Sequence, residues 1–202
     1  MKHVVSRDLY GYWDRLRKGR SAPERAEIDP AAIRGVLPDA FILGIERTER
    51  GREFPVRLSG TRLNALFLSD LKNRSFPDLW LPEDRPAVTR LLETVLDDAA
   101  PVVAGLRGTP DDHRPVDLEM VLLPLRHQGR THTRLLGAIA PVLSPSWLGL
   151  VALEHVALTS LRLLGSEESV MADRRRPVAP APEADELLGR RVGRFVVHQG
   201  GR

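Results

Sequence analysis

The sequence predicts an α+β domain: a five-stranded antiparallel sheet, with helices inserted between its second and third strands and one flanking helix at each end. Two observations lead to this prediction. Five segments either alternate apolar and polar residues or are rich in small and apolar ones, as half-buried strands are: 40–47, 54–58, 102–106, 116–122 and 133–142. Between the second and third of them, segments 61–68 and 82–98 carry apolar residues at helical spacing.

The first flanking helix is predicted from Ser6 to Lys18. Its apolar residues fall at i, i+3, i+4 and i+7 and therefore share one face: Leu9, Tyr12, Trp13 and Leu16. Ser6 is the expected N-cap, and Gly19 suits the position after the last turn. Two interpretations of this face stay open. It packs against the helix's own domain, or its aromatic residues face a partner subunit.

Proline marks the starts and ends of two further predicted helices. Asp29 and Pro30 suit the cap and first turn of a short helix over 31–37, which Pro38 ends. Pro82 begins the clearest helix of the chain, over 82–98. The apolar stripe of that helix comprises Val88, Leu91, Leu92, Val95 and Leu96.

Four regions follow from this order of elements. Residues 1–38 form an N-terminal helical extension, 39–143 the core, 144–165 a C-terminal helix and 166–202 a disordered tail. The C-terminal helix is predicted from a run rich in Leu, Val and Ala. The tail is rich in proline and charge and contains a short apolar patch at 192–197.

Composition excludes several kinds of chemistry. The 202 residues include no cysteine, which removes disulfides, thiolate metal sites, a cysteine nucleophile and a cysteine-linked chromophore. The sequence has 27 arginines and 3 lysines but a net charge of only +3. These arginines are interleaved with acidic residues rather than clustered, which argues against a nucleic-acid interface.

The expected location is the cytoplasm. No run of about 18 apolar residues predicts a transmembrane helix. The first ten residues are mixed polar and charged, unlike the apolar stretch of a secretory signal.

Three blocks of residues together resemble a known family. The first block comprises Tyr12–Arg20, Pro23, Ile28–Pro30, Leu37–Pro38 and Phe41–Leu43. The second comprises Leu58–Thr61, Leu66–Phe67, Asp70–Leu71 and Phe76–Trp80, and the third is Leu135–Ile139. In this order and spacing they resemble a bacterial family of stand-alone PAS domains, formerly a domain of unknown function. Where that family commonly has glycine, this chain has Leu68-Ser69 and Asn73.

The resemblance implies a PAS-like fold and a sensory or regulatory role. It also implies a pocket between the helices and the inner face of the sheet. The residues that would line such a pocket are Leu58, Leu66, Phe67, Phe76, Trp80, Leu92, Met120 and Leu122. The alternative is that these side chains simply fill the core. PAS domains often dimerise through flanking helices, so the resemblance further implies a homodimer.

No cofactor, metal site or catalytic activity is expected. Haem needs an axial ligand, usually histidine, and the helix over 82–98, where similar haem-binding PAS domains place it, contains none. The absence of cysteine excludes the cysteine-adduct type of flavin photosensor. Motifs of phosphate-binding loops, zinc proteases and serine hydrolases are missing from the sequence.

The sequence therefore predicts a non-catalytic PAS sensing or interaction module that acts in trans in bacterial signalling or regulation. Its expected partner is another protein or a second copy of itself. One alternative is a small-molecule receptor with a pocket inside the core. Another is a nucleic-acid-binding regulator, which would show steeply salt-dependent retention of DNA or RNA.

Overall fold

An antiparallel sheet organises the chain, and this computed structural model describes residues 1–49, 51–111, 113–127, 130–164, 190–192 and 195–197. The strands are β1 (Ala40–Gly44), β2 (Glu46–Thr48), β3 (Gly51–Glu53), β4 (Val56–Ser59), β5 (Val102–Pro110), β6 (Val116–His127), β7 (Arg130–Pro141), β8 (Leu153–Leu163), β9 (Arg190–Val192) and β10 (Phe195–Val197). The main sheet has the order β4-β1-β7-β6-β5-β8-β10-β9, and β2 and β3 form a separate hairpin.

The five predicted strands are confirmed as five consecutive strands of this sheet. They correspond to β1, β4, β5, β6 and β7, and all their pairings with one another are antiparallel. As predicted, the helices lie between the second and third of these strands. They are α2 (Thr61–Leu66), a 3₁₀ turn (Phe76–Leu79) and α3 (Arg85–Asp97).

Two apolar clusters lie on opposite faces of the sheet. Helices α2 and α3 cover the inner face, where Phe41 and Leu43 of β1 point together with Met120 and Leu122 of β6. The alternate residues of the same strands, such as Ile42, belong to the outer cluster. Helix α1 (Val4–Arg17) covers that outer face. The period-2 pattern of the strands thus sorts their apolar residues between two helical layers.

The predicted C-terminal helix over 144–165 is wrong. Half of this segment is the strand β8, which pairs antiparallel with β5 along its whole length. Two register shifts in this pairing each give β8 one extra residue, between Leu153 and His155 and between Leu158 and Ser160. Bulges of this kind break the alternation of a strand. The buried Leu153 and Val156 are therefore three residues apart, a spacing that imitates one face of a helix.

Several predicted helix starts are also wrong by about one turn. Helix α1 begins at Val4 rather than Ser6, because the imidazole Nδ1 of His3 accepts a hydrogen bond from the N–H of Val5 and acts as the cap. Ser6 is buried inside the first turns instead. The clearest helix begins at Arg85 rather than Pro82, with Asp84 as its N-cap residue.

The short helix predicted over 31–37 is replaced by two 3₁₀ turns, at Ala31–Ile33 and Leu37–Asp39. The carboxylate of Asp29 still accepts a hydrogen bond from the N–H of Ala31, as expected of a cap.

The predicted disordered tail, 166–202, lies outside the described residues except for β9 and β10. These two short strands contain most of the predicted apolar patch. They pair with each other, and β10 pairs in parallel with β8 through Val197 and Leu161. Strands β10 and β9 thus extend the main sheet beyond β8.

Both positions where the related family has glycine adopt the left-handed conformation. The φ angle is 45° at Leu68 and 65° at Asn73. Asparagine tolerates this region better than other residues that carry a side chain, whereas a leucine there is strained. The loop shape is therefore kept without glycine, at a cost at Leu68.

None of the helices in the described part of the chain is long and apolar enough to cross a membrane.

Candidate functional site

Seven of the eight predicted pocket residues meet in the cluster on the inner face of the sheet. They are Leu66, Phe67, Phe76, Trp80, Leu92, Met120 and Leu122, and each is at most 8% exposed. They come from α2 and the residue after it, from the 3₁₀ turn and the residue after it, from α3 and from β6, so both the helical layer and the sheet contribute. The structure brings these seven residues together, and their side chains belong to one buried cluster.

Aromatic contacts hold the centre of this cluster. The ring of Phe76 lies 4.8 Å from that of Phe41 and 4.9 Å from that of Trp80, measured between centroids, and both pairs are tilted. Such geometry is favourable for aromatic pairs. Since Phe41 belongs to the sheet and the other two to the 3₁₀ turn, this stack joins the two layers.

Leu58 is the predicted pocket residue that does not belong to the site. Its side chain is 43% exposed. The pairing of β1 with β4 shifts register between Ile42 and Leu43, so that Leu58 lies opposite Ile42 of the outer face. The bulge turns the side chain away from the interior, and the position of β4 at the edge of the sheet leaves it uncovered.

Within the described part of the chain, one polar side-chain atom of the inner cluster lacks a partner. The indole Nε1 of Trp80 is buried and has no hydrogen-bond acceptor there. A buried donor without a partner costs about 1–3 kcal/mol. An acceptor supplied from elsewhere would therefore be favourable at this point of the core.

A small cleft was not anticipated from the sequence. Its volume is about 160 Å³, and it lies between α2 and the segment after β7, next to Asp39 and Arg62. The carboxylate of Asp39 is 3% exposed and accepts hydrogen bonds from Nε of Arg62, at 2.9 Å, and from Nη2. The hydrogen bond that Arg62 donates to Asp39 raises the pKa of Arg62 above its ordinary value. The two residues are 23 positions apart, so no local pattern connects them.

The predicted interaction helix faces its own sheet. Leu9, Tyr12 and Trp13 are at most 9% exposed, and Leu16 packs beside them. The indole Nε1 of Trp13 donates to the carbonyl of Pro124 at 2.8 Å, and the Tyr12 hydroxyl accepts from the N–H of Asp29 at 2.7 Å. Of the two interpretations left open by the sequence, the structure favours packing within the domain.

The N-terminus of α1 is attached to the sheet by a buried carboxylate. Glu119 of β6 is 8% exposed, and its two oxygens accept from the backbone N–H groups of Lys2, at 2.8 Å, and His3, at 3.0 Å. Burial by itself would raise the pKa of Glu119, but these two hydrogen bonds, a third from the side chain of Ser6 and the charge of the N-terminal amine together hold the pKa below its usual 4.5. The sequence showed Glu119 only as part of an ordinary strand face.

Eight arginines in the described part of the chain are neutralised by neighbouring carboxylates. Within the described residues, the arginines in ion pairs are Arg17, Arg20, Arg52, Arg57, Arg62, Arg85, Arg107 and Arg126. Charges compensated in this way contribute little to a basic surface for nucleic acid. In the same described ranges, no group of three His, Asp or Glu side chains could hold a metal ion.

A family model described as a PAS domain matches residues 1–140, which include α1 and the five central strands. The chain belongs to the PAS-domain family. The match agrees with the resemblance in the sequence and with the α+β architecture. No curated protein sequence matches this PAS-domain protein significantly.

Solved structures with the same kind of fold are distant in sequence. A light-oxygen-voltage domain studied with a flavin analogue is 14% identical over 56% of this chain and 84% of its own, with a TM-score of 0.43. The PAS domain of a protein from Colwellia psychrerythraea is 13% identical over 56% of this chain and 98% of its own, with a TM-score of 0.40. An RNA-binding light-oxygen-voltage receptor is 17% identical over 59% of this chain and 35% of its own, with a TM-score of 0.40.

Proposed function

We propose that this chain is a non-catalytic PAS sensing and interaction module that acts in trans, through a protein partner, in bacterial signalling or regulation. Membership of the PAS-domain family supports the sensory role. The observation that supports a protein partner is an apolar surface on the segment after β7.

This surface, called here the Leu143/Leu150 surface, consists of Val142, Leu143 and Leu150. Their side chains are 45%, 79% and 77% exposed, respectively. The small cleft beside Arg62 is lined in part by Leu148 and Pro145 of the same segment. Large apolar side chains exposed on one segment beside a cleft are typical of a protein interaction site, because their burial against a partner removes apolar area from water.

Hydrogen bonds keep this segment in a defined shape. The N–H of Val142 donates to the carbonyl of Asp117 at 2.9 Å, and the N–H groups of Leu150 and Val151 donate to the carbonyl of Trp147 at 2.9 and 3.1 Å. The ring of Trp147 lies 5.0 Å from that of His113. The exposed leucines are thus presented by an ordered backbone, which lowers the entropy cost of binding.

The test compares the wild-type full chain with a Leu143→Asp/Leu150→Asp variant by sedimentation velocity. It adds photo-crosslinking in cells from a reactive residue placed at position 142. We expect either a wild-type dimer that the variant loses or a defined crosslinked partner that the variant loses. Leu58→Asp is the matched control, because Leu58 is an exposed leucine on a different strand.

A variant that keeps the same oligomeric state and the same crosslinked partners as the wild type would contradict the proposal. So would an equal loss in the Leu58→Asp control, since that result would indicate general damage to solubility rather than loss of a particular surface.

A receptor for a small molecule is the second candidate, and the unpartnered indole Nε1 of Trp80 favours it. A ligand with a hydrogen-bond acceptor would satisfy this donor if the inner cluster opened around it. Native mass spectrometry of the freshly purified full chain tests this candidate. Excess mass that a Trp80→Phe variant fails to retain would support it, and bare polypeptide mass for both proteins would count against it.

A further inference from the structure

A larger cleft lies on the outer side of the molecule, between α1 and the 3₁₀ segment that follows Pro30. Its volume is about 330 Å³. The residues that line it are Arg7, Asp8, Gly11, Tyr12, Arg15, Ala32, Ile33, Gly35 and Val36. This volume is at the lower end of the range that is typical of small-molecule sites. The cleft is separate from the inner cluster and from the Leu143/Leu150 surface.

Buried contacts fix the positions of the two walls of this cleft, which are α1 on one side and the 3₁₀ segment after Pro30 on the opposite side. Tyr12, Ile33 and Val36 are at most 9% exposed and belong to the outer cluster. The Tyr12 hydroxyl accepts from the N–H of Asp29 at 2.7 Å, which ties α1 to the residue just before the opposite wall. The opposite wall is itself closed by a hydrogen bond of 2.8 Å from the N–H of Val36 to the carbonyl of Ile33.

Two glycines keep the cleft open. A Cβ added at Gly11 would lie 3.6 Å from Nη1 of Arg15, and one added at Gly35 would have no atom within 4 Å among the described residues. Gly11 is in the middle of a helix, where glycine costs about 1 kcal/mol relative to alanine. The missing side chain leaves room for the guanidinium of Arg15 over the helix backbone.

The two arginines of the cleft have no ion-pair partner among the described residues. In the described part of the chain, neither Arg7 nor Arg15 forms an ion pair or a side-chain hydrogen bond, whereas Arg17 of the same helix pairs with Asp14 at 2.7 Å. Counting Arg7, Arg15 and Asp8, the lining has a net charge of +1. Arg7 and Arg15 are eight residues apart, so their backbones are separated by about 12 Å along the helix.

We propose that this cleft binds a small phosphate ester, with Arg7 and Arg15 as the phosphate ligands and Asp8 as the acceptor for a hydroxyl or amino group of the ligand. Arginine suits phosphate because its planar guanidinium donates two parallel hydrogen bonds to the oxygens of the anion. A carboxylate beside the two arginines would repel a bare anion. It therefore favours a molecule that carries donors as well as a phosphate.

The test is a titration of the full chain, followed by NMR and by isothermal titration calorimetry, with AMP, ribose 5-phosphate and inorganic phosphate. We expect saturable binding of the two esters that is tighter than the binding of inorganic phosphate. The amide signals of Gly11 and Gly35 should shift, while that of Gly137 in the buried sheet should not. Salt should weaken the binding, because the arginines are exposed.

An Arg7→Gln/Arg15→Gln variant should weaken ester binding about tenfold or more. The charge-assisted hydrogen bonds that the two arginines would donate to the phosphate are stronger than hydrogen bonds between neutral groups. Arg90→Gln is the matched control, because Arg90 is an exposed arginine on α3, on the other side of the sheet. Gly11→Leu should also abolish binding by filling the cleft. Its thermal unfolding midpoint should stay close to the wild-type value, because leucine favours the helix.

Three outcomes would overturn the proposal. They are no saturable binding of either ester at millimolar concentration, equal affinity for the esters and inorganic phosphate, and an equal loss of affinity in the Arg90→Gln control. None of these outcomes bears on the protein partner of the Leu143/Leu150 surface, because the two tests use different residues.

Discussion

The inner face of the sheet is covered by α2, a 3₁₀ turn and α3, whereas the outer face is covered by α1. On the inner face, the contacts that join the layers are between apolar side chains, with the rings of Phe41, Phe76 and Trp80 in a stack. On the outer face, hydrogen bonds are added at both ends of the helix, through Glu119 at its start and Trp13 near its end.

Because of this difference, the inner and outer layers contribute to the fold in different ways. Apolar burial is not directional, so the inner layer derives its stability from area and shape. A hydrogen bond contributes less free energy but is directional. The outer layer is therefore the one whose position is set by a few individual groups. It is also the layer that single substitutions can loosen without removing the core.

The largest effect is expected from Phe76→Ala, which removes the ring between sheet and helices. It should lower the free energy of unfolding by about 3–5 kcal/mol, because a buried aromatic side chain leaves a cavity. Urea denaturation followed by circular dichroism measures this loss. Leu58→Ala, at a 43% exposed side chain, should change stability by less than about 1 kcal/mol. Similar losses for the two variants would contradict the assignment of the inner face as the main core.

Trp13→Phe tests the outer layer. It keeps an aromatic ring but leaves the carbonyl of Pro124 without the donor it now has at 2.8 Å, which should cost about 1–3 kcal/mol. Hydrogen exchange followed by mass spectrometry should show faster exchange in α1 than in the wild type, with α3 little changed. Equal acceleration in both helices would mean that the two layers unfold as one unit.

Glu119→Gln should have a smaller effect, about 1 kcal/mol, because the amide oxygen still accepts one of the two hydrogen bonds. The loss should depend on pH. A carboxylate whose pKa is lowered by folding stabilises the native state above its unfolded pKa, near 4.5, and loses this contribution as pH falls through the folded value.

The difference in stability between wild type and Glu119→Gln should therefore be full at pH 7 and vanish in acid. Urea midpoints measured between pH 3 and pH 7 provide the check. A constant difference across this range would show that the carboxylate charge has no part in attaching α1.

The smallest effect should be a gain in stability. Leu68→Gly relieves a left-handed residue with φ of 45°, so stability should rise by up to about 1 kcal/mol, less the entropy cost of glycine. Ala65→Gly, within α2, is the matched control and should lower stability by about 1 kcal/mol. If both substitutions destabilise the protein, then the apolar side chain of Leu68 contributes more than its backbone strain costs.

The candidate sites were predictable to different extents. Phe76, Trp80 and Met120 could be assigned to the interior because apolar residues at strand and helix spacing must meet where the two layers pack. Asp39 and Arg62 could not be paired, since residues far apart in the chain leave no local signal. The cleft beside α1 was also missed, because Arg7 and Arg15 line a cleft only together with Gly35, which belongs to another segment.

By itself, the sequence determined the α+β class, the order of the five central strands along the chain and the helices between them. It also determined the family, through blocks of residues that the family model confirms. The class, the strands and the helices rest on local periodicity, which each segment carries alone, whereas the family rests on the residues of the blocks and on their spacing. Only the tertiary structure decided that residues 153–163 form a strand rather than a helix, that Leu58 faces outward and that α1 covers its own sheet. Each of these depends on strand register or on contacts between distant segments, and a single bulge reverses the face to which a side chain points.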